Sequence, residues 1–192
     1  MMAYTMAKYG HNAVYILDGG LDEWKNHGGE LSQEYPPIEP SGFTAELRDD
    51  YAISYEEFLR VKDNDDVIVL DARPTKVYEG QGPWRRPGHI PGAVNLPWRS
   101  LMDDENPALL RPNDELDMIL EDHGVDRSRT VICSCGTGRE ATNEFVLLKW
   151  LYRYPDVRLY EGSFTEWVTH PENPVVEGSE PREARREAVP AR

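Results

Sequence analysis

The chain has two cysteines, Cys133 and Cys135, both inside the stretch Thr130-Val131-Ile132-Cys133-Ser134-Cys135-Gly136-Thr137-Gly138-Arg139-Glu140-Ala141. The β-branched run Thr130 to Ile132 predicts a strand, and the spacing of Ala141, Phe145, Leu148, Trp150 and Leu151 predicts a helix. Cys135 therefore falls on the loop between them. Cys133 lies on the strand, where an isolated cysteine behaves as a small apolar residue. Gly136 and Gly138 let the backbone curl tightly, so successive N–H groups can converge on an anion. A thiol facing such groups at the head of a helix has its thiolate favoured and becomes a nucleophile.

Spacing separates two chemistries for this loop. A phosphatase nucleophile of the C-x-x-x-x-x-R kind needs an arginine six positions on to clamp the phosphoryl oxygens. Here that position is Ala141, and Arg139 comes two residues too early. A loop one residue shorter suits a large soft sulfur atom better than a tetrahedral phosphate, so the residues favour sulfur transfer.

The loop resembles the active-site loop of the rhodanese family of sulfurtransferases, and three further segments agree with it. Val67-Ile68-Val69-Leu70-Asp71-Ala72-Arg73 is similar to the family's strand followed by Asp-x-Arg. Arg86-Pro87-Gly88-His89-Ile90-Pro91-Gly92-Ala93-Val94-Asn95-Leu96-Pro97 is similar to its most recognisable signature, and Leu159 to Trp167 to its last strand and helix. The matches run in the family's order from about Phe43 to Val176.

The resemblance implies that the thiolate of Cys135 takes a sulfane sulfur from a donor and passes it, as a persulfide, to a nucleophilic acceptor. It implies no metal and no cofactor. The N–H groups of Gly136, Thr137, Gly138, Arg139 and Glu140 would hold the outer sulfur as an oxyanion-hole-type stabiliser, and Arg73 would attract an anionic donor. Thiosulfate is the expected donor. Cys135-Gly136-Thr137-Gly138 also matches the loop of 3-mercaptopyruvate-using members, which keeps that donor as the alternative, together with a non-catalytic sulfur carrier. Acceptors would be cyanide, a thiol or a sulfur-relay protein. His89, inside the signature, reads as a structural histidine. His11, His27, His123 and His170 have no ligand spacing, and two cysteines are too few for a closed zinc site. The loop Gly80 to Gly88, with Trp84, Arg85 and Arg86, is placed to shape the mouth of the pocket.

The elements that must carry this site alternate strand and helix. Ser54 caps a helix over Tyr55–Val61, and strands are predicted at Val67–Leu70, Ala93–Leu96, Thr130–Ser134 and Val157–Tyr160. Helices are predicted over Asn113–His123 and Asn143–Tyr152. This is an α/β domain with a mostly parallel central sheet flanked by helices, its reactive loop at a strand's carboxyl end, where open sheets bind ligands.

A second copy of part of this pattern precedes it. Tyr15 to Trp24 parallels Arg158 to Trp167 at a constant offset, since 162 − 19 and 167 − 24 both give 143. Residues 1–30 accordingly read as the carboxyl-terminal remnant of a first rhodanese-like repeat, 31–42 as a Gly/Pro-rich linker, and 43–176 as the complete catalytic domain. Residues 177–192 read as a disordered tail. The remnant's apolar residues invite self-association or a separate partner, and 43–176 is expected to fold without it.

The formal net charge of −14 over 192 residues disfavours nucleic acid and anionic membranes as partners, and no run is long and apolar enough to span a bilayer. Residues Met1 to Gly10 lack the pattern of a signal peptide, and the cysteine usage fits a reducing compartment. The cytoplasm is the expected location.

Overall fold

Val67 to Leu70 is a continuous apolar run, the pattern of a parallel strand covered on both faces. In the computed structural model, which describes residues 1–182, this run is strand β1 (Val67–Asp71), and all five of its residues are buried. It pairs in parallel with β2 (Ala93–Asn95) and β3 (Thr130–Ser134), and β3 pairs in parallel with β4 (Val157–Leu159). The order across the sheet is β2-β1-β3-β4. After β2 the chain crosses back over β1 to lay down β3 on its far side. The boundary between β1 and β3 is therefore a topological switch point, the place where open α/β sheets leave a crevice at their carboxyl ends. Asp71 stands opposite Ser134 there, so the residues after β1 and those after β3 emerge side by side.

Alternation along β1 divides the core. Ile68 and Leu70 join Val131 and Cys133 on one face with Leu116 of α5 (Asn113–Asp122) and Phe145 of α6 (Ala141–Val146). Val67, Val69 and Ile132 meet Phe58 of α3 (Tyr55–Val61) and Phe164 and Trp167 of α7 (Ser163–Thr169) on the other. Ser54 caps α3 as expected, its Oγ accepting the Glu57 N–H at 3.2 Å. The helix after the loop begins two residues earlier than the spacing predicts and passes into a π-helical turn, Leu147–Leu151. A short helix α4 (Thr75–Tyr78) follows β1. No helix among the described residues is long and apolar enough to cross a membrane.

The amino-terminal segment divides in two. Helix α1 (Met2–Lys8) docks on the domain: Tyr4 and Ala7 are buried within the first core face, with the Tyr4 ring edge-on to Phe145 at 4.9 Å. The Tyr4 hydroxyl donates to Glu161 at 3.0 Å, and the Lys8 ammonium lies 2.7 Å from the same carboxylate. Helix α2 (Gly20–Asn26) buries none of its residues, and Tyr15, Ile16, Leu17, Leu21 and Trp24 are exposed. The bounds of α2 and α7 differ by 143, the offset of the sequence repeat (163 − 20 and 169 − 26). Residues 14–16, at the position matching β4, form no strand.

At the other end, the expected tail is partly tied down. The Gly178 N–H donates to the Glu79 carbonyl at 2.9 Å, the Gly92 N–H donates to Pro181 at 2.6 Å, and Arg182 reaches Asp63 at 2.5 Å. Residues 183–192 lie outside the described residues.

Candidate active site

Cys135 is the first residue beyond β3, and two residues at the head of α7 clip it in place. The Cys135 N–H donates to the Ser163 hydroxyl at 3.1 Å, and the Phe164 N–H donates to the Cys135 carbonyl at 3.0 Å. Ser163 takes a left-handed backbone (φ 52°), uncommon for a residue with a side chain, and its hydroxyl donates to the Tyr160 carbonyl at 2.8 Å. The next loop carbonyl, of Gly136, accepts from both the N–H and the hydroxyl of Thr165 at 3.0 and 2.6 Å. The first two loop carbonyls are thus held by α7, while those of Arg139 and Glu140 accept from Thr142 and Asn143 of α6, which orients the peptide planes at both ends of the loop.

Its N–H groups are left over. The backbone N–H groups of Gly136, Thr137, Gly138, Arg139 and Glu140 donate to no protein acceptor among the described residues. Five consecutive unsatisfied donors make the kind of concavity that holds an anion. Gly138 has φ 76°, and a Cβ there would lie 2.6 Å from the Glu161 carbonyl oxygen; Gly136 passes so close to the Trp84 ring that a Cβ would lie 2.9 Å from it. At Gly138, where the obstacle is backbone and φ is left-handed, only glycine lets the loop follow this path.

The expected site residues divide by depth. Cys135 is fully buried beneath the loop, whereas Thr137 and Arg139 are exposed and Glu140 is half-buried. Gly136, Thr137, Arg139 and Glu140 line a cavity of about 590 Å³ whose apolar walls include Trp84 and Trp98. Burial chiefly, with Asp71 nearby, raises the Glu140 carboxyl above its usual range, against the opposing pull of Arg73 and Arg139.

Arg73 is not on the rim. It is buried and forks onto Asp71, Nε to Oδ1 at 2.9 Å and Nη2 to Oδ2 at 2.6 Å, with Nη2 also donating to the Gly88 carbonyl at 2.9 Å. Its guanidinium lies 4.2 Å from the Phe164 ring centroid and 5.2 Å from that of Trp84. Nη1 has no partner. Arg73 and the cysteine loop adjoin, since a Cβ on Gly136 would stand 3.8 Å from the Arg73 Cδ. Trp84 closes this layer, its indole N–H donating to Thr165 at 3.0 Å.

His89 is buried and stacked on Tyr78 at 3.7 Å, its ring nitrogens facing the carbonyls of Tyr78 and Glu180 at 3.1 Å each. Burial above all lowers its pKa, and the ring is a structural one. Both cysteines are free; Cys133 is buried in the core, and burial, then Glu144 and Cys135, push its thiol well up. Ser163 was not singled out from the sequence. The signal for it lies in the repeat, where Gly20 stands at the matching position with φ 62°, marking a left-handed site.

Comparison with known proteins places the chain in a family. The family model for the rhodanese-like domain matches residues 54–170, and the chain belongs to that family. Curated relatives include a putative thiosulfate sulfurtransferase of Synechococcus elongatus, 34% identical over 87% of this chain and 54% of its own length. The 3-mercaptopyruvate sulfurtransferase of Rattus norvegicus is 33% identical over 88% of this chain and 58% of its own. The chain thus spans little more than half the length of these relatives. Among solved structures, an anaerobic ergothioneine biosynthesis enzyme from Chlorobium limicola superposes with a TM-score of 0.80, at 24% identity over 92% of this chain and 44% of that one. That likeness establishes the fold.

Proposed function

We propose that the chain is a sulfurtransferase that carries sulfur on Cys135 and takes it from thiosulfate. The Cys135 thiolate attacks the sulfane sulfur, and the sulfur–sulfur bond of the donor breaks with its electron pair leaving as sulfite. The resulting persulfide is then attacked by an acceptor, cyanide, a thiol or a sulfur-relay protein, which leaves with the outer sulfur and returns the thiolate. The observation that carries this reading is the row of five unsatisfied N–H groups from Gly136 to Glu140, directly after a cysteine at the switch point. Arg139, exposed on the cavity rim, supports an anionic donor, and the unpartnered Nη1 of Arg73 supports a buried contribution to the same field. Two free cysteines fit a reducing, cytoplasmic setting.

The spelling Cys135-Gly136-Thr137-Gly138 favours 3-mercaptopyruvate as the second reading, and relatives named for each donor match the chain at similar identity. A sulfur carrier protein of Thermus thermophilus, 29% identical over 93% of this chain and 67% of its own length, supports a relay protein as acceptor. Incubation with each donor followed by peptide mass spectrometry tests the proposal. One sulfur should be gained on Cys135 with thiosulfate, and Cys135→Ser should gain none. An adduct that persists in Cys135→Ser removes Cys135 from the chemistry, and loading by 3-mercaptopyruvate alone replaces the donor.

A further inference from the structure

Glu144 lies on the buried face of α6, one turn after the cysteine loop. It is 0% exposed, and neither carboxyl oxygen has a hydrogen-bond partner among the described residues. A buried carboxylate without a partner is costly, whereas the neutral acid is far less so. The groups nearest in charge are all acidic. Asp71 comes from β1, Cys133 and Cys135 from β3 and its end, and Glu140 from the loop. Of the cations in the region, Arg73 forks onto Asp71 and Arg99 of the short helical turn packed on α6 donates to the carbonyls of Met102 and Asp103, while Arg139 is exposed on the cavity rim beside Glu140. From α1, Tyr4 meets the neighbouring Phe145, and its hydroxyl donates a hydrogen bond to Glu161.

We propose that Glu144 is a positioning residue for the Cys135 chemistry: buried without a partner beneath the loop, it stays a neutral acid so that the negative charge of the site resides on sulfur, and its ionisation as pH rises turns the site against anionic reactants. Burial, then Asp71, Cys135 and Glu140, hold its carboxyl well above the usual carboxylate range, which agrees with this placement. The inference deepens the sulfur-transfer reading by adding the group that keeps the cradle receptive to anions.

A test that needs no sulfur donor separates this inference from the choice of donor. The full chain is alkylated with neutral iodoacetamide and, in parallel, with anionic iodoacetate between pH 5 and 10, and the label on Cys135 is followed by mass spectrometry. In the wild type the iodoacetate-to-iodoacetamide rate ratio should fall roughly tenfold as pH rises, the scale expected of one added charge near the thiolate. In Glu144→Gln, close in shape but unable to ionise, the fall should be several-fold smaller, with Glu140 left as the titrating carboxyl of the loop. Glu144→Leu, which also removes the ionising group, serves in its place if the amide variant does not fold. A residue with only a packing role would alter both rates together and leave the ratio's pH dependence intact. A flat ratio in the wild type, an equal fall in the variant, or a Cys135 that reacts with neither reagent at any pH overturns the inference. If the ratio behaves as expected and thiosulfate still fails to load Cys135, only the donor assignment falls.

Discussion

At Arg73 two tasks meet in one side chain. Its fork neutralises Asp71 in the core, so Arg73→Ala should leave a buried, unpaired carboxylate and cost about 3–5 kcal/mol, seen as a lowered melting temperature. Arg139 is exposed and has no such duty. Arg139→Ala should raise the KM for thiosulfate with little change in kcat or melting temperature, and an unchanged KM would take it out of the donor site. Glu144 gives a stability prediction of its own. The folded chain holds its proton to higher pH than the unfolded chain does, so above about pH 4.3 the native state binds more protons and loses stability as pH rises, by up to about 1.4 kcal/mol per pH unit. Melting curves across pH should therefore favour Glu144→Gln over the wild type increasingly from pH 5 to 8. A constant difference would mean that Glu144 does not titrate differently in the two states.

The loop and the helices around it were unequally legible in the sequence. Strand β3 is a β-branched run ended by glycines, and local pattern alone fixes its bounds at Thr130 and Ser134. Position 138 was legible as a tight turn, and its left-handed φ and the near contact with Glu161 give the reason. Gly138→Ala should cost at least 1–2 kcal/mol from backbone strain alone and slow sulfur loading more than it lowers the melting temperature, because the cradle is distorted first. What the sequence could not give was depth. Nothing in Asp71-Ala72-Arg73 says that the arginine folds back onto its own strand's last residue, nor does the apolar spacing of α6 admit a carboxyl at Glu144. Both depend on partners brought together only by the crossover between β2 and β3. The short turns at Thr75–Tyr78 and Leu147–Leu151 were likewise missed or merged, since each is set by packing rather than by periodicity.

For the molecule as a whole, α1 alters the expectation that 43–176 stands alone. Tyr4 shares a core with Phe145 and Leu70, and Met1 reaches the cavity over the loop. Tyr4→Ala should cost about 3–5 kcal/mol, the range for truncating a buried aromatic, and removal of residues 1–34 should lower both melting temperature and sulfur loading. A shortened chain that melts and turns over like the intact one would restore the view of α1 as an appendage. The stretch from Tyr15 to Trp24 keeps its exposed apolar side chains, which suit contact with another surface. Ile16→Asp combined with Leu21→Asp should reduce any self-association seen by size-exclusion chromatography without lowering activity.

Ser163 carries backbone strain as well as a hydrogen bond. Where α2 begins, Gly20 occupies the left-handed conformation freely; where α7 begins, a serine occupies it under strain, and its hydroxyl is what receives the Cys135 N–H. The two positions, 143 residues apart, share a backbone conformation that is relaxed at Gly20 and strained at Ser163, where it comes with an anchor. The two costs can be pulled apart by substitution: Ser163→Gly relieves the backbone and loses the anchor, while Ser163→Ala loses the anchor and keeps the strain. The glycine variant should be the more stable of the pair by about 1 kcal/mol, with both equally impaired in loading sulfur. A protein engineer seeking a hardier version of this chain would thus be drawn, by stability alone, to a position that holds Cys135 still.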